Sequence, residues 1–274
     1  MLAAAARILR RAGVDEPRAE AECLWEGVSG TPRAQLRSGR AAATAAHARR
    51  FHARVRRRAA GEPLAYVEGE VEFYGLRLRV DRRVLIPRPD SETVVDAALP
   101  RLPPERATRV LDLGTGSGCL LLALLSQRPR ARGLGVDRSA GALALAAENA
   151  RRLGLGTRAG FVRGSWLDAV APGCADLIVS NPPYVEPSEA LGPGVAEHEP
   201  HLALFTPPGQ PYRAYDAILH RARVVLRPGG ALVLEAGAGR ARALAERCAA
   251  AGLRVLEVRR DLGGIERAVA AVAP

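Results

Sequence analysis

From residue 109 onward the sequence alternates, and this alternation restricts the fold more than any other feature of the chain. Apolar runs at 109–113 (RVLDL), 132–136, 159–163, 175–180 (ADLIVS) and 230–235 (GALVLE) are separated by segments with helical spacing, among them 139–153 and 238–251. Strands that read as near-continuous apolar runs are buried on both faces. The pattern therefore predicts an α/β fold whose mostly parallel sheet is covered by helices on both sides. The closing stretch LRVLEVRRDLGGIERAVAAV reads as two strands joined by a Gly turn, an antiparallel edge on that sheet.

Upstream the character is different. The first 65 residues show helical spacing of Leu, Ala and Val, broken at GVDEP, SGTPR and SGR, with no strand-like alternation. They predict a small domain of several short helices, residues 1–65. Val71, Phe73, Leu76, Leu78 and Val80 then lie in a β-rich stretch with a Gly turn, which predicts a hairpin linker over 66–89. Pro87 and Pro89 fix the backbone of LIPRPDSE before a new helix, with Asp90 or Ser91 as its expected cap. The sheet domain takes residues 90–274. The Arg-bearing opening MLAAAARILRRAG has the flavour of a targeting presequence, but it runs on into VDEPRAEAECLWEGV and is read as the first of a helix pair.

The 274 residues, 48% of them hydrophobic, suffice for one large domain with a core and a smaller appendage. No segment approaches the roughly 20 uninterrupted apolar residues of a membrane span. Cys23, Cys119, Cys174 and Cys248 are scattered, with no pairing or metal-ligand spacing, and read as reduced, mostly buried thiols of a cytoplasmic protein that holds no metal. A net charge of +11 would ordinarily suggest a polyanionic partner. Every one of the 40 basic residues is Arg, however, and only two residues are Asn, as a GC-rich coding sequence produces whatever the protein binds. The basic run HARRFHARVRRRAAG, 47–61, is accordingly read as a solvated helix face, and direct nucleic-acid binding is not expected.

Two stretches carry chemistry. In VLDLGTGSGCLLLALL, Gly114, Gly116 and Gly118 lie between a strand and a helix, with Thr115 and Ser117 between them. Such a loop lets a ligand approach the backbone and aims a helix N-terminus at it. The third glycine comes one residue earlier than in the dinucleotide fingerprint, and the acid Asp112 beside the loop suits a cationic or zwitterionic ligand. The next strand ends in Asp137, whose carboxylate can accept both hydroxyls of a ribose; its plainer role is to cap the helix that begins near Ser139. Trp166 falls on the same sheet edge, where its ring stacks on an adenine or packs the loop. Loop, acid and the D-x-G-x-G-x-G spacing together resemble the class I S-adenosylmethionine methyltransferases, over residues 90–274.

The second stretch is IVSNPPYVEP, 178–187. A planar amide nitrogen is a poor nucleophile because its lone pair is delocalised. The Asn181 side-chain oxygen and the Pro182 carbonyl can each take one hydrogen of an NH2 group and aim that lone pair, while Pro182 and Pro183 hold the carbonyl in place and Tyr184 closes over the planar target. Positioning then supplies most of the rate and no strong general base is needed. The competing reading is a strand-ending turn, which Asn-Pro often opens. Asn-Pro-Pro-Tyr is similar to the motif of methyltransferases acting on planar nitrogens: DNA adenine, ribosomal RNA and protein glutamine enzymes.

GEPLAYVEGEVEFYGLRLRVDRRVLIPRPDSE, LDLGTGSGCLLLALL, GVDRS, VSNPPYVEP, HEPHLALF and RRDLGGIERAV occur in one order that resembles the HemK-type protein-(glutamine-N5) methyltransferases along nearly the whole chain. The resemblance implies a Rossmann-like, mostly parallel seven-stranded sheet and a helical N-terminal domain that recognises a peptide-chain release factor. It also implies S-adenosylmethionine as cofactor, held by Gly114 to Gly118 (with Thr115 and Ser117), Asp137 and Trp166 and reached by Asn181. Asn181, Pro182, Pro183 and Tyr184 would bind the substrate, the glutamine of a Gly-Gly-Gln motif, with Asn181, Pro182 and Tyr184 as the catalytic set. A monomer is expected. After HEPHLALF the chain reads TPPGQPYRAYD where the family usually continues with Gly-Gly, a departure expected to border the substrate cleft. The alternatives are an adenine-N6 nucleic-acid methyltransferase, a same-fold enzyme acting on a small amide or amine, and a cofactor sensor without activity.

Overall fold

In the computed structural model, which describes residues 1–37 and 44–274, the chain forms two compact units. One comprises Met1–Glu70 with Leu191–His198, the other Val71–Ala190 with Glu199–Pro274. The first holds α1 (Leu2–Arg11), α2 (Pro17–Ser29), α3 (Arg33–Arg37), α4 (Ala45–Ala59) and α5 (Leu64–Glu68), plus one helical turn at Val195–His198. Its breaks follow the sequence: Gly13, with φ +78°, lies between α1 and α2, and Gly30 caps α2 in the left-handed region that glycine enters without strain. The expected break at residues 38–40 lies outside the described residues.

The core of this unit is Leu9, Leu24, Trp25, Phe51 and Val55 with small neighbours. Trp25 meets Phe51 edge-on at 5.2 Å between ring centres, a favoured aromatic geometry. Phe51 and Val55 are the buried residues of the basic helix α4. Of its arginines, Arg58 pairs with Glu20 at 2.6 Å and Arg57 with Glu62 at 2.7 Å, whereas Arg49, Arg50 and Arg56 face solvent.

Val71, where the second unit begins, lies in the hairpin of β1 (Glu70–Phe73) and β2 (Leu76–Arg79). Tyr74 and Gly75, with φ of +51° and +74°, make the turn, a conformation that matches the twist of paired strands. Tyr74 is held there by Glu92, whose Oε1 accepts its N–H at 2.7 Å. After the hairpin come α6 (Glu92–Ala98), β3 (Arg109–Leu113), α7 (Cys119–Gln127), β4 (Arg132–Asp137), α8 (Ala140–Arg152), β5 (Ala159–Arg163) and β6 (Ala175–Ser180). A helical turn at His201–Leu204 precedes α9 (Arg213–Val225), β7 (Leu226–Glu235), α10 (Ala241–Ala250), β8 (Arg254–Arg260) and β9 (Glu266–Val272). The expected seven-stranded sheet forms with order β5-β4-β3-β6-β7-β9-β8, parallel but for β9, which runs antiparallel to β7 and β8.

Successive side chains of each strand go to opposite faces. Val110, Leu177, Val179 and Val233 join the core under α6 and α7, while Leu111, Ile178, Leu232 and Leu234 join the one under α9 and α10. In α7 every residue from Leu120 to Leu125 is buried, as expected of a helix that is apolar all round. Each such leucine contributes roughly 1.5–3 kcal/mol.

Three expectations change. β7 starts at Leu226, four residues before the predicted run, because its register against β6 shifts between Ala175 and Leu177, so that Arg-Pro-Gly-Gly is absorbed as an irregularity within the strand. Of the cysteines, none in a disulfide, Cys248 alone is buried; the other three are half-buried. Neither Asp90 nor Ser91 caps α6. A 3-10 turn over Pro89–Ser91 leads into the helix, and Ser91 occupies the cap position with helical torsions and no capping hydrogen bond. Both side chains are engaged elsewhere. Among the described residues no helix is long and apolar enough to cross a membrane.

Candidate active site

The sheet order creates the site. From β3 the chain builds outward through β4 and β5, then returns to lay β6 on the other side of β3. Between β3 and β6 the direction of winding reverses, and open α/β sheets bind ligands at the carboxyl ends of such a pair. Leu113 and Ser180, the last residues of the two strands, are register partners. Ser180 Oγ donates to Leu113 O at 2.6 Å. The glycine loop and the Asn-Pro-Pro-Tyr segment therefore leave the sheet side by side, at the rim of a cavity of about 770 Å³.

Within the loop Gly114, Gly116 and Gly118 have φ of +68°, +55° and +83°, a region costly for other residues. Gly114 and Thr115 both donate to Val136 O. A Cβ on Gly118 would stand 3.3 Å from Ala146 Cβ, so the third glycine also lets α8 pack closely. Asp137 Oδ2 accepts from Gly116 N at 3.0 Å and Oδ1 from Ser139 N at 2.8 Å. Ser139 itself caps α8, through Ala142 N; Asp137 is thus a brace for the loop. Trp166 has a left-handed φ of +47° and lies against Gly114, where an added Cβ would be 3.6 Å from its Cζ3. It both packs the loop and lines the cavity. Asn149, fully buried on α8, accepts from Arg79 N and donates to the carbonyls of Arg79 and Ser117, tying hairpin to loop.

Two orphaned buried atoms test whether the cavity suits the implied cofactor. Asp112 Oδ1 and Ser117 Oγ are buried and lack a hydrogen-bond partner among the described residues, although both residues line the cavity. Unpaired buried polar atoms are uncommon and costly, which fits a site built to be completed by a polar ligand. Asp112 Oδ2 is already engaged by Thr115 Oγ1 at 2.6 Å. Burial raises the Asp112 carboxyl to about 7, against the pull of Thr115 and of the Leu121 N–H. A cationic group beside it would favour the ionised form. Burial likewise pushes the Cys119 thiol at the cavity wall up to about 12, with the Asp112 charge adding to the effect, so it stays protonated at neutral pH.

Of the second motif, Asn181 and Pro183 line the cavity; Pro182 is buried, and neither it nor Tyr184 is in the lining. Asn181 Nδ2 donates to Ser91 Oγ at 3.2 Å. The Tyr184 hydroxyl donates to Glu235 Oε1 at 3.2 Å, and its ring covers Gly237, where a Cβ would be 2.9 Å from Tyr184 Cδ2. Glu235 ends β7 and is 2% exposed. Arg267, itself buried, pairs with Asp90 at 3.2 Å and Asp261 at 3.1 Å beside this carboxylate.

Burial raises the Glu235 carboxyl from 4.5 to about 7; Ser91, Arg267 and Tyr184 oppose the shift and Asp90 adds to it. Between those values the folded protein keeps a proton that the unfolded chain has released, so stability falls as pH rises through the window. Glu235→Gln cannot ionise. It is expected to lose less melting temperature than the wild type between roughly pH 5 and roughly pH 8; equal losses by circular dichroism would refute the assignment.

The segment before α6 and the loop after residue 205 complete the wall. Arg88 lines the cavity and pairs with the buried Glu199 at 2.5 Å, while Glu199 also accepts from Ile86 N at 3.0 Å. Phe205, Thr206, Pro207 and Arg213 line it too, as expected of the departing loop. Sequence reasoning missed Ser91, Glu235, Arg88, Glu199 and Asn149. One signal was available: Glu235 is an acid at the end of an apolar strand, on the carboxyl edge where ligands bind.

Residues 1–69 match the family described as PrmC N-terminal domain, and residues 91–197 the Methyltransferase small domain. A release factor glutamine methyltransferase of Cereibacter sphaeroides is 47% identical over 229 residues, 83% of this chain and 80% of its own length. One from Caulobacter vibrioides is 38% identical over 267 residues, covering 96% of this chain and 92% of the relative. A third, from Moorella thermoacetica, is 41% identical over 270 residues, covering 97% and 95%.

Proposed function

Because the chain belongs to the release factor glutamine methyltransferase family, we propose that it methylates the side-chain amide nitrogen, N5, of the glutamine in the Gly-Gly-Gln motif of a peptide-chain release factor. The observation that carries this reading is Asn181 at the cavity wall, its Nδ2 engaged by Ser91 and its Oδ1 accepting from no described residue. Gly114 to Gly118, Asp137 and Trp166 would hold S-adenosylmethionine. That cofactor supplies a methyl group on a positively charged sulfur, a leaving group strong enough that the amide need not be ionised beforehand.

The work left to the chain is orientation. Asn181 Oδ1 and the Pro182 carbonyl accept the two N–H bonds of the substrate amide, so its lone pair is directed out of the amide plane, and Pro182 and Pro183 keep the carbonyl from rotating away. Tyr184, whose ring lies over Gly237 and whose hydroxyl is tethered to Glu235, would have to leave those contacts to close over the planar target. The helical residues 1–65 would recognise the release factor. The reading takes the protein as a cytoplasmic monomer: four cysteines outside any disulfide suit a reducing compartment, and arginines of α4 are partly consumed by acids of their own unit instead of being free for nucleic acid.

Incubation with methyl-labelled S-adenosylmethionine and, in parallel, a release factor, its Gln→Ala variant at the Gly-Gly-Gln motif, and duplex DNA tests this. Label is expected on the unaltered release factor alone. Label on DNA, or equal label on the Gln→Ala protein, would overturn the reading.

A further inference from the structure

A carboxamide has an acceptor end and a donor end of nearly equal shape, and the reaction proposed for this site works with one of the two orientations. Oδ1 of Asn181 has to meet the substrate NH2. Something must stop the side chain from presenting Nδ2 instead, and the surroundings of Asn181 supply it.

Asn181 Nδ2 donates to Ser91 Oγ. Ser91 is 2% exposed, although it stands at a helix start where such residues usually cap. A hydroxyl has one proton. The Ser91 hydroxyl lies beside the buried Glu235 carboxylate and steadies its ionised form. It is not aligned there as a full hydrogen bond, for Glu235 Oε2 has no partner of good geometry among the described residues. Above about pH 7, where Glu235 is ionised, its unsatisfied buried oxygen is a strong attractor for that proton. Once the proton points at Glu235, only a lone pair of Ser91 Oγ is left for Asn181. An NH2 group can meet it; a flipped amide would set oxygen against oxygen.

We propose that Ser91 and Glu235 are positioning residues: the Glu235 carboxylate draws the Ser91 proton, and the hydroxyl so turned holds the Asn181 carboxamide with Oδ1 presented to the substrate glutamine. The inference rests on the role given to Asn181 above. Glu235 also takes the Tyr184 hydroxyl, so one acid at the end of β7 orients both polar side chains of the Asn-Pro-Pro-Tyr motif.

The chain has two asparagines, Asn149 and Asn181. Labelling the full-length protein with nitrogen-15 asparagine therefore yields two pairs of side-chain NH2 signals. Asn149, buried and bonded to two carbonyls, reports that the fold is intact. In Ser91→Ala the Asn181 pair is expected to shift and broaden while the Asn149 pair stays. Turnover falls about 10²-fold, the scale of a small misplacement at a reacting centre, with cofactor Kd and release-factor KM within about twofold. Glu235→Gln, which can offer Ser91 a donor or an acceptor, is expected to broaden the Asn181 pair as well. In an Asn181→Ala background, Ser91→Ala should cost less than about twofold more, since it acts through the missing side chain.

An unchanged Asn181 pair with unchanged turnover in Ser91→Ala overturns the proposal. So does an equal loss with and without Asn181, which leaves the role of Asn181 standing. Normal turnover by Asn181→Ala alone overturns that role, and the positioning of it too.

Discussion

Asn181→Ala is expected to lose methyl transfer by about 10³-fold while S-adenosylmethionine binds with Kd changed less than about fivefold. The size follows from what is removed. Asn181 lines the cavity, and its Oδ1 accepts from none of the described residues, so under the proposed reading the deletion takes one of the two acceptors that would turn the substrate lone pair. Without it the amide can rotate about its remaining hydrogen bond and spends little time aimed at the donor. The cofactor is affected less, because the glycine loop, Asp137 and Trp166 do not depend on Asn181 for any hydrogen bond. Single-turnover kinetics with calorimetric titration of the cofactor separates the two effects. Full turnover by the variant would refute the assignment of Asn181 as the amide acceptor.

Asp137→Ala is expected to act on the opposite quantity, raising the Kd for S-adenosylmethionine by at least about 10²-fold while turnover at saturating cofactor changes little. Two charge-assisted hydrogen bonds to a ribose are worth roughly 1.5–3 kcal/mol each. A second contribution comes from the loop. With Asp137 gone, the Gly116 N–H loses its acceptor at 3.0 Å, and a segment already in left-handed torsions loses its brace. The methyl-accepting segment on β6 is not touched. A Kd within about threefold of the wild type by calorimetry would overturn the assignment of Asp137 to the ribose.

These two residues also illustrate how far the sequence reaches. Asp137 and the glycine loop are about twenty residues apart and belong to one strand-loop-helix-strand unit, so their partnership is local in the chain and was legible. The seven-stranded sheet was legible for the same reason, from apolar runs of strand length. Boundaries were not: β7 begins at Leu226 because of a register shift against β6, which depends on the neighbouring strand. Ser91 was read as a helix cap, the commonest use of serine before a helix. Its hydroxyl instead meets a side chain 90 positions away, and no local signal distinguishes the two uses.

By itself, then, the sequence determined which segments become strands and helices, where left-handed glycines permit a tight loop, and which residue types could aim an amide. Those properties depend on side-chain size, polarity and torsion within a few neighbouring residues. The tertiary structure alone decided that β6 returns beside β3, so that Leu113 and Ser180 pair and their loops face one cavity. It alone brought Glu235 from β7 and Ser91 from the head of α6 to the Asn181 segment. Contacts over such separations arise from the packing of the whole sheet, since burying both its faces at once admits few strand orders, and the residues that meet carry no mark of one another in the chain.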